Sequence, residues 1–287
     1  MEKRLPEYLK RGIIDTEKTK TVRRILKQKC LNTVCEEARC PNKAECYSKD
    51  TATFMIMGDT CTRNCRFCAI NSARPQPLDN EEPKHVAQAV KELGLDYAVI
   101  TSVTRDDLPD GGASHFAQTI YEIKKLSPDT KVEVLIPDFK GDKTALEEVL
   151  KAEPEVLNHN VETVPSLYKT VRPQAVYERS LEVLDYAKKS GAKSLTKTGI
   201  MVGLGETSEE LKTLFDDLKS INLDILTIGQ YIQPSKKHLE IVKYYTPKEF
   251  EELKTLALNS GIKIVISSPL VRSSFKAHEA YKKILKS

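Results

Sequence analysis

"SLTKTGIMVGLGETSEELKTLFDDLKSINLDILTIGQY", residues 194–231, reads as strand, helix, strand. Residues 194–203 and 224–231 are short runs rich in aliphatic residues and Thr. Between them Leu211, Leu214, Phe215 and Leu218 recur at spacings of three and four, one apolar stripe of an amphipathic helix. Thr207, with Glu210 three positions later, is a capping box that starts that helix. The unit recurs along the chain. Residues 52–58, 97–103, 131–137 and 155–162 read as strands, and 262–268 as a seventh strand or a C-terminal extension. A later helix has Thr246 as cap, Pro247 at its first position and Gly261 as its stop. Gly94, Gly191 and Gly261 each end a helix and lead straight into the next strand. Alternation with such short turns predicts a parallel sheet in the α/β class. About six units suit a partial (β/α)6-type TIM barrel, with a doubly wound sheet as the alternative. In both, active residues belong at the C-terminal ends of strands. Residues 1–50 fall outside the alternation and form an N-terminal extension. Residues 51–245 form the barrel core, and 246–287 a C-terminal helix and extension.

With 287 residues the chain is long enough to bury a full core. Its 45 basic and 41 acidic residues leave a formal charge of +4, without the concentrated basic stripe that nucleic acid would require. No apolar run approaches the roughly 18 residues of a membrane span. The opening "MEKRLPEYLKRGIIDTEKTKTVRRILKQ" lacks the apolar segment of a secretion signal, and Glu2, Glu7, Asp15 and Glu17 set it apart from a transit peptide. A cytoplasmic location is expected, where the 7 cysteines stay reduced and clustered spacing reads as metal binding.

"GDTCTRNCRFCAI", residues 58–70, places Cys61, Cys65 and Cys68 directly after the first strand, with no fourth cysteine to close the set. Three thiolates can hold a metal or cluster that keeps one position open for chemistry. A zinc site completed from a distance, or thiols that meet no metal, are the alternatives. Upstream, "CEEARCPNKAEC" spaces Cys35, Cys40 and Cys46 as C-x4-C-x5-C, a second iron–sulfur candidate. Cys30 lies outside both sets and reads as a plain small residue.

The C-x3-C-x2-C spacing, with Phe67 before its last cysteine, resembles the signature of the radical S-adenosylmethionine enzymes. The two sets together resemble the lipoyl synthases within that superfamily. "SVTRDDLPDGGA", "NHNVET", "VRPQAVYERSL", "TKTGIMVGLGET" and "RSSFKAH" extend the likeness over roughly residues 30–280. The resemblance implies that Cys61, Cys65 and Cys68 hold a [4Fe–4S] cluster whose fourth iron binds S-adenosyl-L-methionine. It implies that Cys35, Cys40 and Cys46 hold an auxiliary [4Fe–4S] cluster that is consumed as the sulfur source. Two sulfur atoms are then inserted at C6 and C8 of an octanoyl chain on a lysine of a lipoyl carrier domain. The partners implied are octanoylated 2-oxoacid dehydrogenase E2 subunits or glycine cleavage H protein, and an electron donor such as ferredoxin or flavodoxin. A sulfur-inserting enzyme resembling biotin synthase lacks the upstream set; a non-catalytic iron–sulfur protein is the rival from another class. "VRSSFKAH" resembles the R-S-S-Y motif, in which a serine oxygen ligates the auxiliary cluster. Ser274 is expected in that role ahead of Ser273, and Phe275 replaces the usual tyrosine.

Other positions at strand ends are Thr101, Ser102, Arg105 and Asp106, then Asn158, Asn160 and Glu162, then Lys197 and Gln230. Alternation would point Asn158, Asn160 and Glu162 the same way, as a polar row inside the barrel. Glu162 is a candidate for ribose hydroxyls and Arg179 for the methionyl carboxylate. Gly203 and Gly205 are candidates for close backbone approach to S-adenosylmethionine or, alternatively, a strand-to-helix turn. His115, His159 and His278 lack ligand-like partners in sequence and read as structural.

Overall fold

The computed structural model describes residues 5–10, 16–38, 40–48, 52–275 and 277–284. Its main sheet has strands β1 (Asn32–Thr33), β2 (Thr53–Ile56), β3 (Tyr97–Ser102), β4 (Lys131–Leu135), β5 (Val156–Asn158), β6 (Leu195–Val202), β7 (Ile225–Gln230) and β8 (Ile264–Ser267). They lie in sequence order. Short β1 is antiparallel to β2, with Asn32 opposite Met55, and the later neighbours are all parallel. Helices α1 (Glu17–Gln28), α2 (Val34–Glu37) and α3 (Lys43–Ser48) precede the parallel strands. Helices α4 (Glu82–Glu92), α5 (Ala113–Leu126), α6 (Lys143–Lys151), α8 (Tyr177–Lys189), α9 (Ser208–Ser220) and α10 (Pro247–Asn259) connect them, with short α7 (Tyr168–Val171) before α8. This is a partial (β/α)6-type barrel, and residues 264–267 add a seventh parallel strand beside β7. The antiparallel β1 is an addition that the alternation pattern does not show.

Local chemistry explains the elements. Both halves of the Thr207–Glu210 capping box form, and Leu211, Leu214, Phe215 and Leu218 are buried against the sheet. Thr246 and Glu249 make a second capping box, with Pro247 in the first turn where a missing N–H costs nothing. Gly94, Gly191 and Gly261 all have positive φ, as helix stops require.

The core lies between sheet and helices. Phe54, Ile56, Ile100, Val132, Val134 and Leu157 face α4–α6 in one cluster, which Val22, Ile25 and Leu26 of α1 extend. Ile200, Val202, Leu226 and Ile228 face α8–α10 in another. Strand residues alternate in direction, so the residues between these point into the barrel. Register aligns Met55, Thr101, Leu135, Asn158, Lys197 and Ile225 across that inner face, with Gly199 and Thr227 one step higher.

The floor of the barrel is polar. Lys197 Nζ lies 2.7 and 3.0 Å from the Glu133 oxygens, the Tyr97 hydroxyl donates to Glu133 at 2.7 Å, and Asn158 Nδ2 donates to it at 3.2 Å. Below this, Tyr97 and Val99 pack on Ala277 and Tyr281 of α11 (Ala277–Ile284), and the His278 ring stacks on Tyr97 at 5.2 Å.

One expectation changes here. The run 155–162 is not a single strand: β5 ends at Asn158, and Glu162, at φ +71, returns only as a bridge to Ile200. The polar row therefore divides, with Asn158 in the floor and Asn160 and Glu162 above it.

Candidate active site

A chamber of about 460 Å³ opens above this floor, within the ordinary range of small-molecule sites. Its lining includes Cys61, Cys65 and Cys68 on one side and Cys35, Cys40 and Ser274 on another. Cys46 lies just behind, near enough that its thiol and that of Cys40 disfavour ionisation of Cys35.

The first cysteine loop leaves β2 through Met57 (φ +69) and Gly58 (φ +91). The Met57 N–H donates to Glu82 at 2.7 Å, and Glu82 is also bound by the His115 ring at 2.7 Å. Gly112 makes room, since a Cβ there would stand 2.3 Å from the Met57 sulfur. Arg63 then anchors the loop. Its guanidinium donates to both Asp106 oxygens at 2.7 and 2.9 Å and to Asp138 at 2.6 Å. Burial would raise the Asp138 carboxyl, but Arg63 overrides it and holds that group well below the usual carboxylate range. Thr62 bonds the Thr104 carbonyl, Arg66 N–H donates to Val171, and the His238 ring bonds the Cys68 carbonyl at 2.9 Å.

The thiols sit in a setting suited to a cluster. Cys61 Sγ accepts backbone N–H groups from Arg63 and Thr104 at 3.4 and 3.3 Å, contacts that stabilise negative charge on a ligating sulfur. Burial pushes the Cys68 thiol up to about 12, as it does Cys35, and raises Cys65 against the opposing Arg172 charge. Iron must therefore displace protons on binding. Among the described residues, no three His, Cys, Asp or Glu side chains converge on a point suited to a single ion.

Polar groups face the chamber without partners. Ser102 Oγ, Asn160 Oδ1 and Arg172 Nε are buried and meet no hydrogen-bonding group among the described residues. Such atoms are costly unless a ligand completes them. Arg172 Nη1 donates to the Asn160 carbonyl at 2.9 Å. Burial pushes the Glu162 carboxyl up, against the pull of Arg172, the Asn160 amide and Arg272.

The Radical SAM superfamily profile matches residues 55–218. Lipoyl synthase of Caldicellulosiruptor saccharolyticus is 55% identical over 282 residues, 98% of this chain and 99% of that protein. The chain belongs to the lipoyl synthase family. Lipoyl synthase of Caldanaerobacter subterraneus is 56% identical, over 96% of this chain and 97% of its own. Among solved structures, Streptococcus suis SuiB bound to S-adenosylmethionine superposes with a TM-score of 0.59 at 12% identity, covering 80% of this chain and 55% of that one, a likeness of fold.

In this lipoyl synthase the structure brings together most, not all, of the sequence candidates. Glu162 lines the chamber; Arg179, Gly203 and Gly205 do not. Arg179 is drawn away by Asp138, 3.3 Å from its Nη1, whereas Arg172 lines the chamber beside Cys65 and Arg272 lines it beside Cys40. Gly203 is explained by the protein itself, since a Cβ there would stand 2.5 Å from the Lys243 carbonyl and 2.3 Å from Gln230 Nε2. Its N–H and that of Leu204 bond Glu206 in a strand-to-helix turn. Gln230 stitches Val202, Lys243 and Tyr245 together, and Asp106 and Lys197 serve ion pairs. His159, bonded to Ile136 and Ser180, is lowered to about 4 by burial and by Arg172, so it is a neutral structural ring. Sequence reasoning missed Arg63, Arg172 and His238. Position inside the cysteine motif signals Arg63; nothing in "SKKHLE" signals His238.

Proposed function

We propose that Cys61, Cys65 and Cys68 hold the [4Fe–4S] cluster that binds S-adenosyl-L-methionine. On this reading Cys35, Cys40, Cys46 and Ser274 hold the auxiliary one. A single observation carries it: ligands of both sets line one chamber, so a chain threaded into it meets both. The donor set fits, with thiols in each set, the Ser274 side chain in the lining, and Ser102, Asn160 and Arg172 atoms unpartnered among the described residues for the polar parts of S-adenosylmethionine. When bound, these groups supply one-electron activation of unactivated C–H bonds and the sulfur that replaces hydrogen.

The chain's own residues bind and orient. Glu162, flanked by Arg172 and Arg272, takes the ribose hydroxyls, and Arg172 takes over the carboxylate role that sequence gave to Arg179. Phe67, packed with Val171, Leu204 and Tyr231, keeps water from the first cysteine loop. Thr53, Met55, Leu135 and Met201 give the chamber walls on which an eight-carbon chain can lie.

The substrate is an octanoyl chain amide-linked to the lysine of a carrier domain, such as an E2 subunit or H protein, with ferredoxin or flavodoxin as electron donor. Among the described residues no helix is long and apolar enough to cross a membrane; the proposed location is the cytoplasm. Anaerobic incubation of the reconstituted enzyme with reductant, S-adenosylmethionine and an octanoyl-lysyl peptide should add two sulfur atoms to the peptide by mass spectrometry. Cleavage of S-adenosylmethionine without sulfur gain would defeat the reading.

A further inference from the structure

The C-terminal segment enters the chamber through gaps that two glycines leave. A Cβ on Gly229 would stand 2.1 Å from the Val271 carbonyl oxygen, so the segment's backbone lies directly on β7. Asn42 Nδ2 donates to the Leu270 carbonyl at 2.7 Å, and Gln230 N–H to that of Pro269 at 3.2 Å. Residues 269–271 are thus fixed through their backbone. Beyond them comes a turn, closed by Phe275 N–H on the Arg272 carbonyl at 2.9 Å, that carries Ser273 and Ser274.

Asn160 reaches this turn from the barrel wall. Its amide nitrogen lies 3.3 Å from Ser273 Oγ and 3.1 Å from Glu162 Oε1, so both amide hydrogens are engaged. Its own backbone is held by Arg172 at 2.9 Å. Gly199 leaves the room for this meeting, since a Cβ there would stand 2.9 Å from Asn160 Oδ1 and 3.3 Å from Ser273 Cβ. We propose that Asn160 is the positioning residue that holds the serine turn inside the chamber, through one hydrogen bond to Ser273. Ser274 is thereby presented to the upstream cysteines; this last step rests on Ser274 being the auxiliary ligand. Without the bond, the segment stays pinned at residues 269–271 and the turn swings out.

The test uses the reconstituted enzyme without reductant or S-adenosylmethionine, and follows iron release to excess chelator together with tryptic cleavage after Arg272. Asn160→Ala and Ser273→Ala should each speed iron release about three- to ten-fold, the worth of one hydrogen bond, and expose the Arg272 site. The double variant should be no faster than Asn160→Ala alone, because that change already removes the bond to Ser273 along with the one to Glu162. Gly199→Ala, whose Cβ would press on Thr227 Oγ1 at 2.8 Å as well as on Asn160 and Ser273, should reproduce the effect with both side chains of the pair retained and native circular dichroism. Native behaviour of Ser273→Ala, or additive acceleration in the double variant, overturns the proposal. Ser274→Ala separates the two ideas. If it releases iron at the native rate, the ligand assignment fails, while cleavage after Arg272 in Asn160→Ala still decides the positioning role.

Discussion

The loop of Cys61, Cys65 and Cys68 is gripped from four sides, by Asp106 and Asp138 through Arg63, by Thr104 through Thr62, by Val171 through Arg66, and by His238 on Cys68. Cys35, Cys40 and Cys46 ride instead on helices of four and six residues and the turn between them. Among the described residues this segment is tied by Thr33 with Tyr47 at 2.9 Å, Lys43 with Glu36 at 2.6 Å and Asn42 on Leu270. Helices this short draw little stability from their own hydrogen bonds. On the proposed reading, a seat built on longer-range side-chain contacts suits the cluster that persists through turnover, and one on short helices suits the cluster that gives up sulfur.

The largest effect should come from deleting whole sets. Replacing Cys61, Cys65 and Cys68 with Ala should abolish reductive cleavage of S-adenosylmethionine and leave the other cluster's iron in place. Replacing Cys35, Cys40 and Cys46 should spare that cleavage and abolish sulfur transfer to an octanoylated carrier. Iron per chain and the two product assays measure this; equal loss of both activities in both triple variants, with the fold intact, breaks the comparison.

Next is the grip itself. Arg63→Leu leaves the buried Asp138 without its main partner, at a cost of about 3–5 kcal/mol. Arg63→Lys should recover only part of it, lacking the two-pronged contact with Asp106. Urea unfolding of the metal-free enzyme gives the number, and a loss under ~1 kcal/mol would mean that the loop is held by other contacts.

The smallest effect concerns pH. His159 is held neutral down to about 4 in the folded chain, whereas the unfolded chain takes up its proton near 6.5. Its contribution is complete above 6.5 and is lost as pH falls toward 4, because the unfolded state binds the extra proton. Between pH 7 and 5 the native enzyme should lose about 2 kcal/mol more than His159→Gln. Parallel stability curves for the two proteins would show that His159 takes up its proton in the folded state.

The helix side of the sheet was legible because it obeys one rule. Leu211, Leu214, Phe215 and Leu218 repeat at helical spacing, and burial follows from that pattern alone. The barrel interior follows no such rule. Glu133 and Lys197 are 64 residues apart, and each is tolerable inside only because the other is there. Arg172 and Arg179 lie in one quoted motif, yet a single turn of backbone sends one to the chamber and the other to Asp138. Glu162 was found by alternation that the left-handed backbone breaks; it reaches the chamber by a different route than the sequence suggested. The grouping of six cysteines into two sets was legible because spacing is a local property, unlike the grip of His238 on Cys68 across 170 residues.

Asn42 and Leu270 are 228 positions apart, so one wall of the chamber is made from two distant stretches of the chain. A ribosome delivers those two stretches at different moments. While the barrel strands emerge and fold in order, Cys35, Cys40 and Cys46 stand exposed with no serine turn to meet them. That wall is therefore complete only after residues 269–274 have emerged, so on the proposed reading the upstream set gains its serine turn late in synthesis. Chains that terminate early would carry a folded barrel and an unfinished second seat.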